Sequence, residues 1–158
     1  MAVDFFFKLA GIDGESVDDK HKNEITVMSF SWGASQTTSV SGSGGSGAGK
    51  ATLADLSIMK NYDAASAPMY KALLLGTHIA TGVLTAVKSG ADGSPFLTIS
   101  LGEVFVTSIQ ISGSSETPME SVSFSYNTIE TQYSQQDETG KLNAKAAISY
   151  DLKANKVS

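Results

Sequence analysis

The chain has 158 residues, of which 36 are Ser or Thr, only 17% are charged and none is Cys. All 11 basic residues are Lys, and the net charge is −5. These figures exclude a disulfide framework, a Cys-ligated zinc site and thiol catalysis. They also argue against nucleic acid as a partner, because phosphate recognition draws on clustered Lys and bidentate Arg.

The length suits one domain over 1–158 with a core of its own. A charged share below the ~25% usual for soluble domains means that hydroxyls, not charges, cover much of the surface.

The chain opens Met1-Ala2-Val3-Asp4, with an acid where a secretory signal has basic residues. No apolar run approaches the ~20 residues that span a bilayer, so membrane insertion is not expected. Phe5, Phe7 and Leu9 share one face of a first strand, opposite Asp4, Phe6 and Lys8. The acidic stretch 13–19 lacks the ligand order, Gly and closing Glu of a calcium loop. It reads as a solvated loop.

Residues 25–32 change phase. Ile25 and Val27 set one face, then Met28, Phe30 and Trp32 take over, leaving Ser29 and Ser31 opposite. Residues 99–111 do the same, from Ile99 and Leu101 to Val104 and Val106, then to Ile109 and Ile111. A side-chain period of two cannot change phase in a regular strand. Bulges or sharp bends are expected, of the kind that curl a sheet into a barrel.

Between them lies a segment over 36–50, a Gly/Ser-rich tract with almost nothing to bury, expected to behave as a flexible loop. Its end, Gly44-Gly45-Ser46-Gly47-Ala48-Gly49-Lys50, matches the first seven positions of a phosphate-binding loop. The next position must bring a hydroxyl to Mg²⁺ and is Ala51. The residues that follow read as strand, not helix, so a nucleotide site is rejected.

Ser66 as N-cap, Pro68 in the first turn and Gly76 as terminator predict one short helix. Met69, Ala72, Leu73, Leu74 and Leu75 predict that it is buried on most sides. Residues 90–95 read as a hairpin loop. Val122-Ser123-Phe124-Ser125-Tyr126 alternates cleanly, and Ile148, Tyr150 and Leu152 predict a last inward face. One helix among many strands predicts a mainly β fold, a small barrel or sandwich with the helix at one opening.

Chemistry is sparse. His21 and His78 have only scattered carboxylates as companions, so no metal site is assigned. Ser, His and Asp are present, but no G-x-S-x-G elbow is, and Ser is too common for its presence to inform. No catalytic residue and no cofactor is assigned. Trp32 shares its face with Phe30 and is read as core, not as a sugar platform.

In order along the chain stand Gly14-Glu15-Ser16, Lys20-His21, Ile25, Ser31-Trp32-Gly33, Gly49-Lys50, Asp55-Leu56 and Lys60. Then follow Ala65-Ser66, Pro68, Gly76, His78-Ile79, the run Glu120 to Phe124, Ile129-Glu130 and Tyr133. This series resembles the haemolysin-coregulated protein (Hcp) family, the tube protein of bacterial type VI secretion. The resemblance implies a small β-barrel of two packed sheets with one short helix alongside.

It also implies a homo-hexamer whose rings stack into an inner tube, capped by the VgrG spike and wrapped by a contractile sheath. Small effector proteins travel in the ring lumen, and the protein leaves the bacterial cytoplasm through this machine without a signal peptide.

On that basis Ser29 and Ser31 are candidates for the lumen and effector contact. Ser41, Gly42, Gly44, Gly45, Gly47, Gly49 and Lys50 are candidates for ring stacking. The chain departs from the pattern in having no Arg and in the polar segment 134–145. The alternative is a monomeric carbohydrate-binding β-sandwich, which predicts an exposed aromatic platform.

Overall fold

A computed structural model describes residues 2–41, 45–89 and 93–158. Among them the strands are β1 (Val3–Leu9), β2 (Ile25–Val27), β3 (Ser29–Ser31), β4 (Ala34–Ser35), β5 (Thr38–Ser41), β6 (Gly45–Ala48) and β7 (Thr52–Leu53). After β8 (Leu56–Asn61) comes α1 (Ser66–Leu75). β9 (Ile79–Lys88), β10 (Pro95–Ser112), β11 (Met119–Ser125), β12 (Thr128–Gln136), β13 (Leu142–Asp151) and β14 (Lys156–Val157) complete the order. The fold is mainly β with one short helix, as the patterning predicts.

Two antiparallel sheets wrap one core. The first runs β2-β1-β9-β10-β12-β13-β14 and the second β10-β11-β8-β3. Two stretches of chain serve both sheets, and they are the two that change phase in the sequence. β10 pairs with β9 and β12 up to Val104, then with β11 from Phe105 onward.

At that corner Glu103 takes a left-handed φ of 53°, and a bulge follows between Val106 and Ser108. The turn at Glu103 brings Val104 and Val106 into the core and the bulge brings Ile109 against it, whereas Ile111 is exposed. The other corner is Met28. β2 pairs with β1 before it and β3 with β8 after it, and the Met28 N–H donates to the Met59 carbonyl at 2.8 Å. The sheets are joined at these corners and do not form one unbroken ring of ladder.

The core fills the space between them with Phe7, Ile25, Leu56, Ile58, Val104, Val122 and Phe124, all fully buried. Phe7 and Phe124 meet edge to face across it, 5.0 Å between centroids. Gly82 makes room for this contact, because a Cβ there would stand 2.8 Å from the Phe7 ring.

Four expectations are corrected. Met28 is exposed, since its residue is the crossover between sheets and belongs to neither inner face. Ile148 is also exposed, on β13 near one edge of the first sheet. Helix α1 begins one residue earlier than predicted. Ala65 is its N-cap and makes no side-chain bond, while Ser66 turns its hydroxyl into the protein. The helix is buried on one narrow face only. Ser66, Met69 and Ala72 are inside, whereas Tyr70, Leu74 and Leu75 are exposed.

The described residues of the 36–50 tract belong to a two-stranded ribbon. Ala54 N–H bonds the Gly33 carbonyl at 2.8 Å, β4 pairs with β7, Gly49 N–H bonds the Thr37 carbonyl at 3.1 Å, and β5 pairs with β6. Backbone pairing needs no side-chain burial. Thr38 to Ser41 supplies β-favouring residues opposite the glycines.

Candidate assembly surfaces

The outward face of the second sheet carries the hydroxyls that composition announced. Cross-strand register sets them in rows. Ser31, Ser57, Ser123 and Ser108 stand side by side on β3, β8, β11 and β10, with Ser29, Met59, Ser121 and Gln110 in the next row.

None of these eight residues is charged. Ser57 and Ser123 hydroxyls bond each other at 2.9 Å. Ser29 and Ser31, singled out from the sequence, are exposed and lie in this wall. A hydroxyl that meets another protein surface costs far less to desolvate than a charge left unpaired there. Among the described residues, β3 pairs only with β8 in the ladders, and the 105–112 half of β10 only with β11. The sheet therefore has two edges with free backbone groups.

A second surface is the outer side of α1. Tyr70 is 51% exposed, Leu74 63% and Leu75 68%. Beside it runs a groove of about 530 Å³, lined among others by Ala10, Ile12, Lys71, Leu75 and His78. Gly76 ends the helix at φ 63°, and its neighbour Thr77 closes the last turn onto the Ala72 carbonyl at 2.9 Å.

The ribbon is the third surface, and its root is fastened to the core. The Trp32 indole N–H donates to the Tyr126 hydroxyl at 2.5 Å, which donates to the Ala54 carbonyl at 2.7 Å. Burial pushes the Tyr126 hydroxyl above its usual pKa. The Trp32 bond opposes that shift and the Asp55 charge adds to it.

Trp32 also lines an apolar cavity of about 210 Å³ with Leu53, Ile129, Ile148, Tyr150 and Val157. Of the stacking candidates, Ser41, Gly45 and Gly47 lie in the paired backbone of β5 and β6, and Gly49 and Lys50 follow it. The Lys50 ammonium reaches the Leu152 carbonyl at 3.4 Å. Gly42 and Gly44 lie outside the described residues, as does the 90–92 part of the predicted hairpin loop.

Behind the hydroxyl wall the same two strands carry charge inward. Lys60 on β8 and Glu120 on β11 are direct cross-strand partners, 0% and 1% exposed, and form an ion pair. The Lys60 ammonium also contacts Asp63 Oδ1 at 2.8 Å and donates to Ser66 Oγ at 3.1 Å. Ser66 Oγ donates to Glu120 Oε1 at 2.6 Å.

Sequence reasoning assigned this cluster no role. The signal was present in the strand alternation, which puts Lys60 in phase with Leu56 and Ile58, and Glu120 in phase with Val122 and Phe124. His21 is also structural in setting. It stacks on Phe6 at 4.5 Å, contacts Glu24 through Nδ1 at 3.0 Å and the Gly93 carbonyl through Nε2 at 3.2 Å. Among the described residues no three His, Asp or Glu side chains stand close enough to hold a metal ion.

Comparison with known proteins places these surfaces in a family. The family model described as "Type VI secretion system effector, Hcp" matches residues 6–133. The chain is 36% identical over 143 residues to "Protein hcp1" of Pseudomonas aeruginosa, covering 89% of this chain and 88% of that one. A solved type six secretion system protein superposes with a TM-score of 0.92 at 33% identity, over 99% of this chain and 100% of the other. Hcp1 from Salmonella typhimurium gives a TM-score of 0.81 at 34% identity, with all of both chains covered.

Proposed function

The chain belongs to the Hcp family of type VI secretion proteins, and on that premise we propose that it is the subunit of a secretion tube. Six copies form a ring, rings stack, and the lumen carries small effectors. It is made in the bacterial cytoplasm and exported by the machine it helps to build. VgrG and the contractile sheath are its partners at the tube's tip and outer wall. It performs no catalysis of its own.

The observation that carries this reading is the charge-free wall of the second sheet, bounded by two edges with free backbone groups. A ring needs a heterologous contact, in which one patch meets a different patch on the next copy. β3 of one copy beside the 105–112 half of β10 of the next is such a contact. It would extend the wall around a channel and leave Ser29, Ser31, Ser57 and Ser121 facing cargo. The exposed Tyr70, Leu74 and Leu75 supply apolar area for the same ring, of the kind that otherwise marks an interaction site. The ribbon, with its paired backbone, is assigned to the next ring in the stack.

Native mass spectrometry tests the ring directly. A six-fold mass is expected, and a monomer at all concentrations would overturn it. Deleting residues 38–48 separates the two contacts. Rings are expected to survive while tubes are lost, and loss of rings would remove the ribbon from the stacking role.

A further inference from the structure

We propose that the buried cluster of Lys60, Glu120, Ser66 and Asp63, and not apolar packing, fixes the position of helix α1, and that ring formation depends on that position. The second clause rests on the ring reading above; the first does not.

The apolar underside of α1 is a poor locator. Its buried members are Ala65 at the N-cap, Met69 and Ala72, with Leu73 half-buried. Two of these are small, and Met is the most adaptable of the apolar side chains. Such a face tolerates a shift of the helix better than one of large, rigid side chains would. The groove along the 72–80 side leaves space for that movement.

The polar contacts are different because they are directional and buried. Ser66, the first helical residue, donates to Glu120 and accepts from both Lys60 and the Asp63 backbone N–H, the last at 2.9 Å. Asp63 in turn accepts from the Ala65 N–H at 2.9 Å and holds Lys60 at 2.8 Å. Two strands, the linking turn and the helix start therefore meet at one point.

Glu120 Oε2 is buried without a hydrogen-bond partner among the described residues. The carboxylate thus depends wholly on bonds to Oε1. Moving the helix start away would leave both a carboxylate and an ammonium underpaired in the interior, which is far costlier than a small loss of apolar contact. Buried ionic groups of this kind specify an arrangement more than they add stability.

The test replaces the cluster by apolar groups of similar size, Lys60→Met with Glu120→Leu, and measures amide hydrogen exchange alongside native mass. Expected is a loss of protection of at least tenfold confined to α1, with the amides of β1, β9 and β11 unchanged. The protein concentration needed for rings should rise at least tenfold. Wild-type protection throughout α1 would overturn the proposal.

If the double variant does not fold, Ser66→Ala removes the bridging hydroxyl and leaves the charges. A several-fold loss of protection confined to α1 is then expected, and an unchanged α1 would overturn the proposal equally. A wild-type protein that never forms rings would defeat the ring reading, and the exchange measurement would still decide the role of the cluster.

Discussion

The two faces of the second sheet reverse the usual arrangement. Outside, Ser29, Ser31, Ser57, Ser121 and Ser123 present hydroxyls and no charge; inside, the same strands bury Lys60 against Glu120. Charged groups ordinarily face water, where they are cheap, and are almost never fully buried unless paired. Here a charge-free exterior suits the proposed contact with other protein. The interior charges do what apolar side chains do poorly, selecting one position of a helix among several of similar packing energy.

The comparison breaks most violently from the inside. Lys60→Met alone leaves Glu120 buried with Ser66 as its one remaining side-chain donor. A loss of about 3–5 kcal/mol is expected in denaturant titration, whereas Lys60→Met combined with Glu120→Leu should come out near neutral. Equal losses for single and double variants would mean that the pair itself supplies the stability.

At the corner joining the sheets, Glu103→Val puts a β-branched residue at φ 53° and should cost about 1–2 kcal/mol. Glu103→Gly should hold stability or raise it, because its surface pair with Lys153 is worth little. Thermal melts of the two variants check the sign of the difference.

On the outer face, Ser123→Lys should change stability by about 1 kcal/mol at most, through the lost bond to Ser57. Its larger effect should fall on ring formation or cargo retention, since the proposed ring would bring six like charges to one wall. A variant indistinguishable from wild type in native mass and in effector pull-down would remove the wall from both roles.

The smallest effect belongs to the first sheet, where charge sits in water. Asp137, in the β12–β13 turn, has its carboxyl held below the usual range, chiefly by the Thr139 hydroxyl and then by the Lys141 N–H. A depressed folded-state pKa means that the contribution is present above the ordinary carboxylate range and disappears as pH falls through the lower folded value. Amide shifts of residues 137–143 should therefore move at acidic pH without any change in the core, and Asp137→Asn should abolish that movement.

Much of the architecture was legible before any coordinates. Alternation located the strands, and the two phase changes located both corners, because side chains alternate strictly and a core rejects a strand that faces the wrong way. Helix α1 was found from its Pro68 and Gly76, but its degree of burial was overestimated. Leu74 and Leu75 look like core in the sequence, and nothing local distinguishes an apolar residue that the fold buries from one that it leaves exposed. The pairing of β5 with β6 is not legible in the sequence, because ladder bonds join backbone groups and Gly-Ser composition carries no trace of them.

The sequence alone determined the mainly β patterning, the places where strands bend, the absence of Cys and Arg chemistry, and a family likeness spread along the chain in short motifs. These are properties of spacing and residue type. Only the tertiary structure decided that Ser29 and Ser31 belong to a wall four strands wide, that Lys60 faces Glu120, and that Ser66 closes the cluster. Those facts depend on register between segments some sixty residues apart, and register is set by the whole core at once and not by any one strand.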